Sequence, residues 1–206
     1  MLWQLVKFRF KIDFMFTRSG IAVVVASYLL YALIVYLLSI SHIPFALYLF
    51  NILGIFLLSL FFILNSVFPI SPIQKSDIDF FIMLPFDEKE LKNAFLLFAF
   101  LANLLITSSA AIFLFPAISY LFLLVALITA VMNSFAFFAF KRKIVVAIVG
   151  AWMLSSLLKF PFSPFSMVFG YVYGYYILAF LTAITVLLGM KNARVEDLIL
   201  DYYKRW

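Results

Sequence analysis

The sequence predicts an all-α integral membrane protein with six transmembrane helices, and two observations lead to this fold class. Hydrophobic residues make up 67% of the 206 positions and charged residues 12%, with a mean hydropathy of +1.19. Soluble domains carry about 25% charged residues. In addition, all nine acidic residues and fourteen of the fifteen Lys and Arg residues fall in four short polar segments. The apolar runs between them are long enough to cross a bilayer, which takes roughly 20 residues.

Six apolar runs and their short links account for residues 1–206 as a single transmembrane domain. We predict an interfacial helix within residues 1–18, six spans within 19–190 and a cytoplasmic tail over 191–206. The predicted spans are 19–40, 46–69, 94–115, 117–140, 143–159 and 167–190. Fourteen Lys and Arg residues lie on one side of these spans, and only Lys159 lies on the other. The positive-inside rule therefore predicts that both termini are cytoplasmic.

The segment before the first span, residues 4–18, has two interpretations. Lys7, Arg9, Lys11 and Asp13 alternate with apolar residues, which is typical of a strand. Wound as a helix, the same segment pairs Arg9 with Asp13 one turn later and gathers apolar side chains on the remaining face. A lone strand could not satisfy its backbone hydrogen bonds beside a membrane. We therefore favour a helix lying on the cytoplasmic leaflet.

The run 159–176 predicts a break between the last two spans. Pro161 and Pro164 interrupt any continuous helix, although the run stays almost wholly apolar. This pattern indicates a short re-entrant element that dips into the membrane or packs on the helix tops. Gly170 and Gly174 form a Gly-x-x-x-Gly pattern, for which a tight turn, local packing and a dimer contact all remain open.

The largest cytoplasmic loop contains a short predicted helix over residues 76–84. Ser76 and Asp79 are typical of a helix start, and Pro85 ends the helix. The residues of this segment are Ser76, Asp77, Ile78, Asp79, Phe80, Phe81, Ile82, Met83 and Leu84. Because the segment has no wide polar face, leaving it in water would be costly. It either lies in the membrane interface or enters a groove of a partner protein, and its charged flanks favour the partner.

These features together resemble the ABC-2 type transporter permease family. The resemblance rests on the basic N-terminal helix, six spans with both ends inside, and a short helix after span two that ends at Leu84-Pro85. The run from Ser76 to Leu91 is similar to the coupling-helix segment of that family. The broken element before the last span is similar to its outer re-entrant helices. The chain departs from the family in being short, with no large outer loops.

The resemblance implies partners rather than cofactors. A permease of this family pairs with a second membrane subunit, usually a copy of itself, and with two cytoplasmic ATP-binding subunits. The helix between spans two and three sits in a cleft of the ATPase and transmits its closure, a role that residues 76–84 would take here. Residues 7–18 and 141–143 would lie near the ATPase. The resemblance also implies a multi-pass protein of the plasma membrane, surrounded by lipid.

Residue types exclude several activities. The chain has no cysteine, which excludes disulfides and thiolate metal sites. None of its six glycines builds a Gly-x-x-x-x-Gly-Lys phosphate loop, so a partner subunit must hydrolyse ATP and the chain is not itself an enzyme. The sole histidine, His42, is interpreted as a surface residue. We predict no cofactor or metal site, and no nucleic-acid partner, because anionic lipid explains the basic residues beside the spans.

Polar residues inside the spans complete the prediction. No span core contains Asp, Glu, Lys or Arg, which argues against an ion-coupled transporter. Asn103, Thr107 and Asn133 are candidates for a substrate path, although interhelical hydrogen bonds are the simpler explanation and the one we favour. We interpret the chain as the permease subunit of an ATP-driven transporter that exports a hydrophobic or amphipathic substrate. The alternative is a non-transporting polytopic protein, such as an assembly or immunity factor, with no ATPase partner.

Overall fold

The computed structural model describes residues 18–40, 44–67, 88–140 and 142–194, and the regular elements within these ranges are all helical. The α-helices are α1 (Arg18–Ile40), α2 (Pro44–Val67), α3 (Glu88–Ala111), α4 (Phe115–Ile118), α5 (Phe122–Ala139), α6 (Arg142–Leu157) and α7 (Tyr173–Asn192). Short 3-10 turns cover Ile112–Leu114, Ser119–Leu121 and Ser166–Phe169. The predicted all-α class is therefore confirmed for these residues.

Two predicted elements lie outside the described residues. The interfacial helix over residues 1–18 falls there except for Arg18, which begins α1, and the short helix over residues 76–84 falls there entirely. The tail beyond Arg194 is likewise outside. These elements stay predictions.

The described helices have the length and surface of membrane helices. Three helical stretches among the described residues are long and apolar enough to cross a membrane, namely Leu47–Ser66, Lys92–Ala139 and Tyr173–Asn192. Each of the six long helices also exposes large apolar side chains, such as Leu29 (64%), Leu154 (60%) and Phe180 (65%). A soluble monomer rarely exposes apolar surface on this scale. The apolar helices thus indicate a membrane protein.

The helices α3 and α5 form an antiparallel hairpin. The hydroxyl of Thr107 on α3 donates to the carbonyl of Ala126 on α5 at 3.1 Å, so the chain reverses between them. The reversal is built from successive short helical turns, with Pro116 in the first turn of α4, where a missing N–H does no harm. Ser119, with a φ of 50°, lies at the end of α4 within this reversal.

The helix α5 lies at the centre of the bundle, in contact with α2, α3 and α7. One face of α5 is buried along its length, from Val125 to Ala136. A Cβ added at Gly189 of α7 would lie 2.7 Å from Phe135 Cβ, so glycine lets these two helices approach closely.

The two ends of the bundle differ in charge. Lys92 Nζ donates to the carbonyl of Met190 at 3.4 Å and Asn192 Nδ2 to the carbonyl of Phe138 at 3.3 Å, so α3 begins where α5 and α7 end. We call this the basic end, because it also carries Lys89, Lys191 and Arg194. Among the described Lys and Arg residues, Lys159 alone lies at the opposite end.

The predicted break between the last two spans is an ordered, partly buried segment. After α6 ends at Leu157, the chain turns and sends Phe165 and Met167 into the core, where they are 1% and 3% exposed. Ser166 Oγ donates to the carbonyl of Pro161 at 2.8 Å and fixes the turn. The segment therefore packs against the helices.

The last long helix begins at Tyr173, whereas the sequence predicted a start at residue 167. Gly170 has a φ of 87°, a left-handed conformation that ends the 3-10 turn and that L side chains rarely adopt. A Cβ at Gly174 would lie 2.6 Å from Met167 N. Both glycines therefore serve a turn and local packing, two of the three roles left open by the sequence.

Candidate functional site

A line of buried polar side chains runs through the α3–α5 hairpin, and we call it the polar seam (Asn103, Thr107, Thr129 and Asn133). Each helix contributes two residues that are four positions apart and therefore share a face. All four are at most 2% exposed. The seam contains the three residues predicted from the sequence as a substrate path. Thr107 contacts Ala126 of α5 directly, and Asn133 lies seven residues after Ala126 and so on the same face of α5.

The two threonines of the seam are satisfied by backbone carbonyls. Thr107 Oγ1 lies 2.7 Å from the carbonyl of Asn103 and 3.1 Å from that of Ala126. Thr129 Oγ1 lies 2.6 Å from the carbonyl of Val125 and 3.1 Å from that of Ala126. For Thr107, the interhelical hydrogen bond proposed as the alternative to a substrate path is thus present.

The two asparagines of the seam are different. Neither the amide oxygen nor the amide nitrogen of Asn103 or Asn133 has a hydrogen-bond partner in the described part of the chain. Leaving a buried polar group without a partner costs about 1–3 kcal/mol. At about 1.5 Å per residue, Asn103 lies roughly 6 Å from Thr107 and Asn133 roughly 10 Å from Ala126, both toward the basic end. The two amides therefore lie at similar depth.

The asparagines can donate and accept hydrogen bonds but carry no charge. They could recognise a polar group of a neutral or amphipathic molecule, and they could not bind an isolated ion strongly. Since the seam is closed, with Asn103 1% and Asn133 2% exposed, access to it requires α3 and α5 to separate. Within the described ranges, no group of three His, Cys, Asp or Glu side chains could hold a metal ion.

A second feature is an apolar cleft of about 480 Å³ between α2 and α6, near the end that carries Lys159. Its size falls within the ~300–1,000 Å³ of small-molecule sites. The α2 wall consists of Leu49, Ile52, Leu53, Ile55 and Phe56. The facing wall consists of Met153, Ser156 and Phe169. Ser156 is the polar member of this wall. Its hydroxyl lies 2.6 Å from that of Ser163 and is hydrogen-bonded to it, so the wall offers an occupant an effectively apolar surface.

Lys159 stands at the rim of this cleft. Its ammonium nitrogen lies 5.5 Å from the ring centroid of Tyr48 and 5.9 Å from that of Phe169, so two aromatic faces hold the cation. Phe169 lines the cleft and Tyr48 precedes a lining residue on α2. Such contacts contribute about 0.5–1 kcal/mol at exposed sites.

The backbone at Lys159 is also unusual. Phe160 N–H donates to the carbonyl of Ser155 (2.9 Å) and Lys159 N–H to that of Ser156 (3.0 Å), and Lys159 has a φ of 54°. This pair of bonds is a Schellman motif at the end of α6, whose left-handed position is usually glycine. A residue with a Cβ costs roughly 1–2 kcal/mol there. The chain thus keeps a lysine where glycine would be more stable.

The sequence predicted neither the cleft nor the setting of Lys159. Its only signal was that Lys159 is the single cation on its side of the spans, and this was used to assign orientation. Of its two aromatic partners, Phe169 follows Lys159 by ten residues, but Tyr48 lies on α2, which is distant in sequence. The predicted coupling segment, residues 76–84, lies outside the described residues.

Comparison with protein-family models, with curated proteins and with solved structures finds no match for this chain.

Proposed function

We propose that this chain is the membrane-spanning permease subunit of an ATP-driven ABC-2 type transporter that exports a hydrophobic or amphipathic substrate. It would cross the plasma membrane six times with both termini in the cytoplasm. It would pair with a second copy of itself and with two cytoplasmic ATP-binding subunits. Residues 76–84 would form the coupling helix that receives the movement of the ATPase.

One observation carries the proposal. The helix α2 ends and α3 begins at the basic end of the bundle, so the loop that contains residues 76–84 starts and finishes there. The positive-inside rule makes the basic end cytoplasmic. The apolar segment that the sequence predicts there needs a surface to cover it, and a partner groove with a polar rim supplies one.

The interior of the bundle supports an amphipathic substrate. In the described helices, Asp, Glu, Lys and Arg occur only within the first two turns or the last turn, so the membrane interior offers no counter-ion for a charged solute. The polar seam instead supplies two unpartnered amides between apolar helices. We infer that separation of α3 from α5 would expose Asn103, Thr107 and Asn133 to the substrate during transport.

The test is co-purification from the native host. The tagged chain is solubilised in detergent as wild type and as the double variant Phe80→Asp/Ile82→Asp. We expect an ATP-binding subunit with the wild type and its loss from the variant, because two buried charges would oppose docking. The matched control is Phe160→Asp/Phe162→Asp, which places two charges on side chains that are 51% and 59% exposed at the opposite end.

Each outcome separates the candidate functions. An ATPase recovered with the wild type and with the control, and lost from the first variant, supports the permease. Recovery with all three proteins would contradict the role of residues 76–84. No ATPase with any protein would refute the transporter and favour the non-transporting polytopic protein, in which residues 76–84 lie in the membrane interface.

A further inference from the structure

The cleft between α2 and α6 opens sideways, toward the surroundings of the bundle. Three residues of its α2 wall, Leu49, Leu53 and Phe56, are 49%, 40% and 43% exposed, so the wall continues into the outer surface of the helix. In a membrane that surface faces lipid. An occupant can therefore enter from the bilayer without passing through water.

The cleft and Lys159 together present two chemistries to one molecule. The cleft accepts a flexible apolar chain, because its walls expose almost no polar atoms. Lys159 offers an exposed ammonium group at the rim, positioned by Tyr48 and Phe169. A molecule with an apolar chain and an anionic head would satisfy both.

We propose that this cleft binds an acyl chain of an anionic bilayer phospholipid, whose net negative headgroup is held by Lys159. Among the described residues, acids occur only at Glu88 and Glu90, in the first turn of α3 at the basic end. Lys159 thus has no carboxylate partner within this part of the chain. The net negative charge of such a headgroup supplies the missing partner through a charge-assisted hydrogen bond.

A second copy of the chain fits the cleft less well. A copy lying alongside in the same orientation would carry its Glu88 and Glu90 at the basic end too, far from Lys159. Its described residues would cover the cleft with apolar side chains and leave the lysine unpaired. Burying an unpaired ammonium group is unfavourable. The charges therefore favour lipid as the occupant.

The backbone of Lys159 is consistent with a ligand-binding role. The left-handed position at the end of α6 would be filled more favourably by glycine, yet a lysine stands there and its side chain reaches the rim of the cleft. This arrangement makes a distinctive prediction. Lys159→Gly should preserve or raise stability while it removes the preference for anionic lipid. The proposal does not depend on whether an ATPase binds the chain.

The experiment uses Trp152 as a reporter of cleft occupancy. Trp152 packs against Phe62 with ring centroids 5.4 Å apart and precedes Met153, which lines the cleft. The chain has three tryptophans, so Trp3→Phe/Trp206→Phe leaves Trp152 alone. The full-length protein in nonionic detergent is titrated with phospholipids brominated in the acyl chain, which quench nearby tryptophan. One series uses phosphatidylglycerol, and the other uses zwitterionic phosphatidylcholine.

We expect half-maximal quenching at a roughly five- to ten-fold lower mole fraction of phosphatidylglycerol than of phosphatidylcholine, the ratio that one lysine–anion contact provides. Lys159→Arg should keep this preference, whereas Lys159→Gln and Lys159→Gly should abolish it. Lys191→Gln, which removes an exposed lysine at the basic end, should leave it unchanged.

Three results would overturn the proposal. The first is equal quenching of the parent protein by the two lipids. The second is an unchanged preference in Lys159→Gln and Lys159→Gly, with folding verified by circular dichroism. The third is no quenching by either lipid from a protein that elutes as a dimer, which would show that a second copy covers the cleft.

Discussion

Gly189 allows α7 to lie close to α5, and its contribution to stability can be measured by substitution. A Cβ at residue 189 would lie 2.7 Å from Phe135 Cβ, 2.9 Å from its Cδ1 and 3.1 Å from its carbonyl oxygen. The first and third of these atoms cannot move without the α5 backbone. We therefore expect Gly189→Ala to force the two helices apart.

The magnitude follows from two opposing effects. Overpacking a well-packed contact costs about 1–3 kcal/mol. Alanine stabilises a helix interior over glycine by about 0.5–1 kcal/mol. The net expectation for Gly189→Ala is a loss of up to about 2.5 kcal/mol in the free energy of unfolding.

Gly150 supplies the matched control. It lies within α6, and a Cβ there would meet no atom within 4 Å. Gly150→Ala should therefore show only the helix effect and should raise the free energy of unfolding. The difference between the two variants isolates the packing cost, about 1–3 kcal/mol.

The assay is unfolding of the purified protein in mixed micelles by increasing SDS, followed by far-ultraviolet circular dichroism. Parent, Gly189→Ala and Gly150→Ala are compared under identical conditions. If Gly189→Ala is as stable as Gly150→Ala to within about 0.5 kcal/mol, the close approach of α5 and α7 is refuted.

The same titration tests three further changes. Asn133→Leu should raise the free energy of unfolding by about 1 kcal/mol, because it removes an unpartnered buried amide, and it should lower transport by the reconstituted transporter. A loss of stability would instead show that the amide has a partner. Thr107→Val should lower stability by about 0.6 kcal/mol through the lost interhelical bond, with Ser109→Ala, which removes a bond within α3, as its control. Lys159 and Gly170 both have a left-handed backbone, so Lys159→Gly should raise the free energy of unfolding by about 1 kcal/mol and Gly170→Ala should lower it by a similar amount. If both substitutions change stability in the same direction, the left-handed conformation at these positions is contradicted.

Much of the helical framework was predictable because it depends on local composition. Apolar runs bounded by charge place α1, α2 and α6 within two residues of the predicted spans, whereas α3 starts six residues earlier and α5 five residues later than predicted. The start of α7 was wrong by six residues, 173 against 167, because the φ of Gly170 cannot be read from an apolar sequence. The pattern marked Pro161 and Pro164 as a break but could not show that Phe165 returns to the core.

In the candidate sites, too, some features follow from the local sequence and others depend on contacts between helices. Asn103 and Thr107 were predicted to share a face, since helical periodicity alone requires it. That Thr107 is satisfied while the amide of Asn103 is not depends on contacts with α5. The cleft near Lys159 depends on α2 meeting α6, about a hundred residues later in the chain. Such a contact leaves no local sequence pattern.

The compact reversal between α3 and α5 bears on how the chain is made. Thr107 and Ala126 are only 19 residues apart, so their bond can form as soon as the second helix emerges from the ribosome. The bond from Tyr28 to the carbonyl of Ser108 closes a loop of 80 residues, which costs more chain entropy and therefore forms more slowly. We therefore expect the hairpin to enter the bilayer as a unit, with its polar seam already shielded from lipid. The first helix would dock onto this hairpin afterwards.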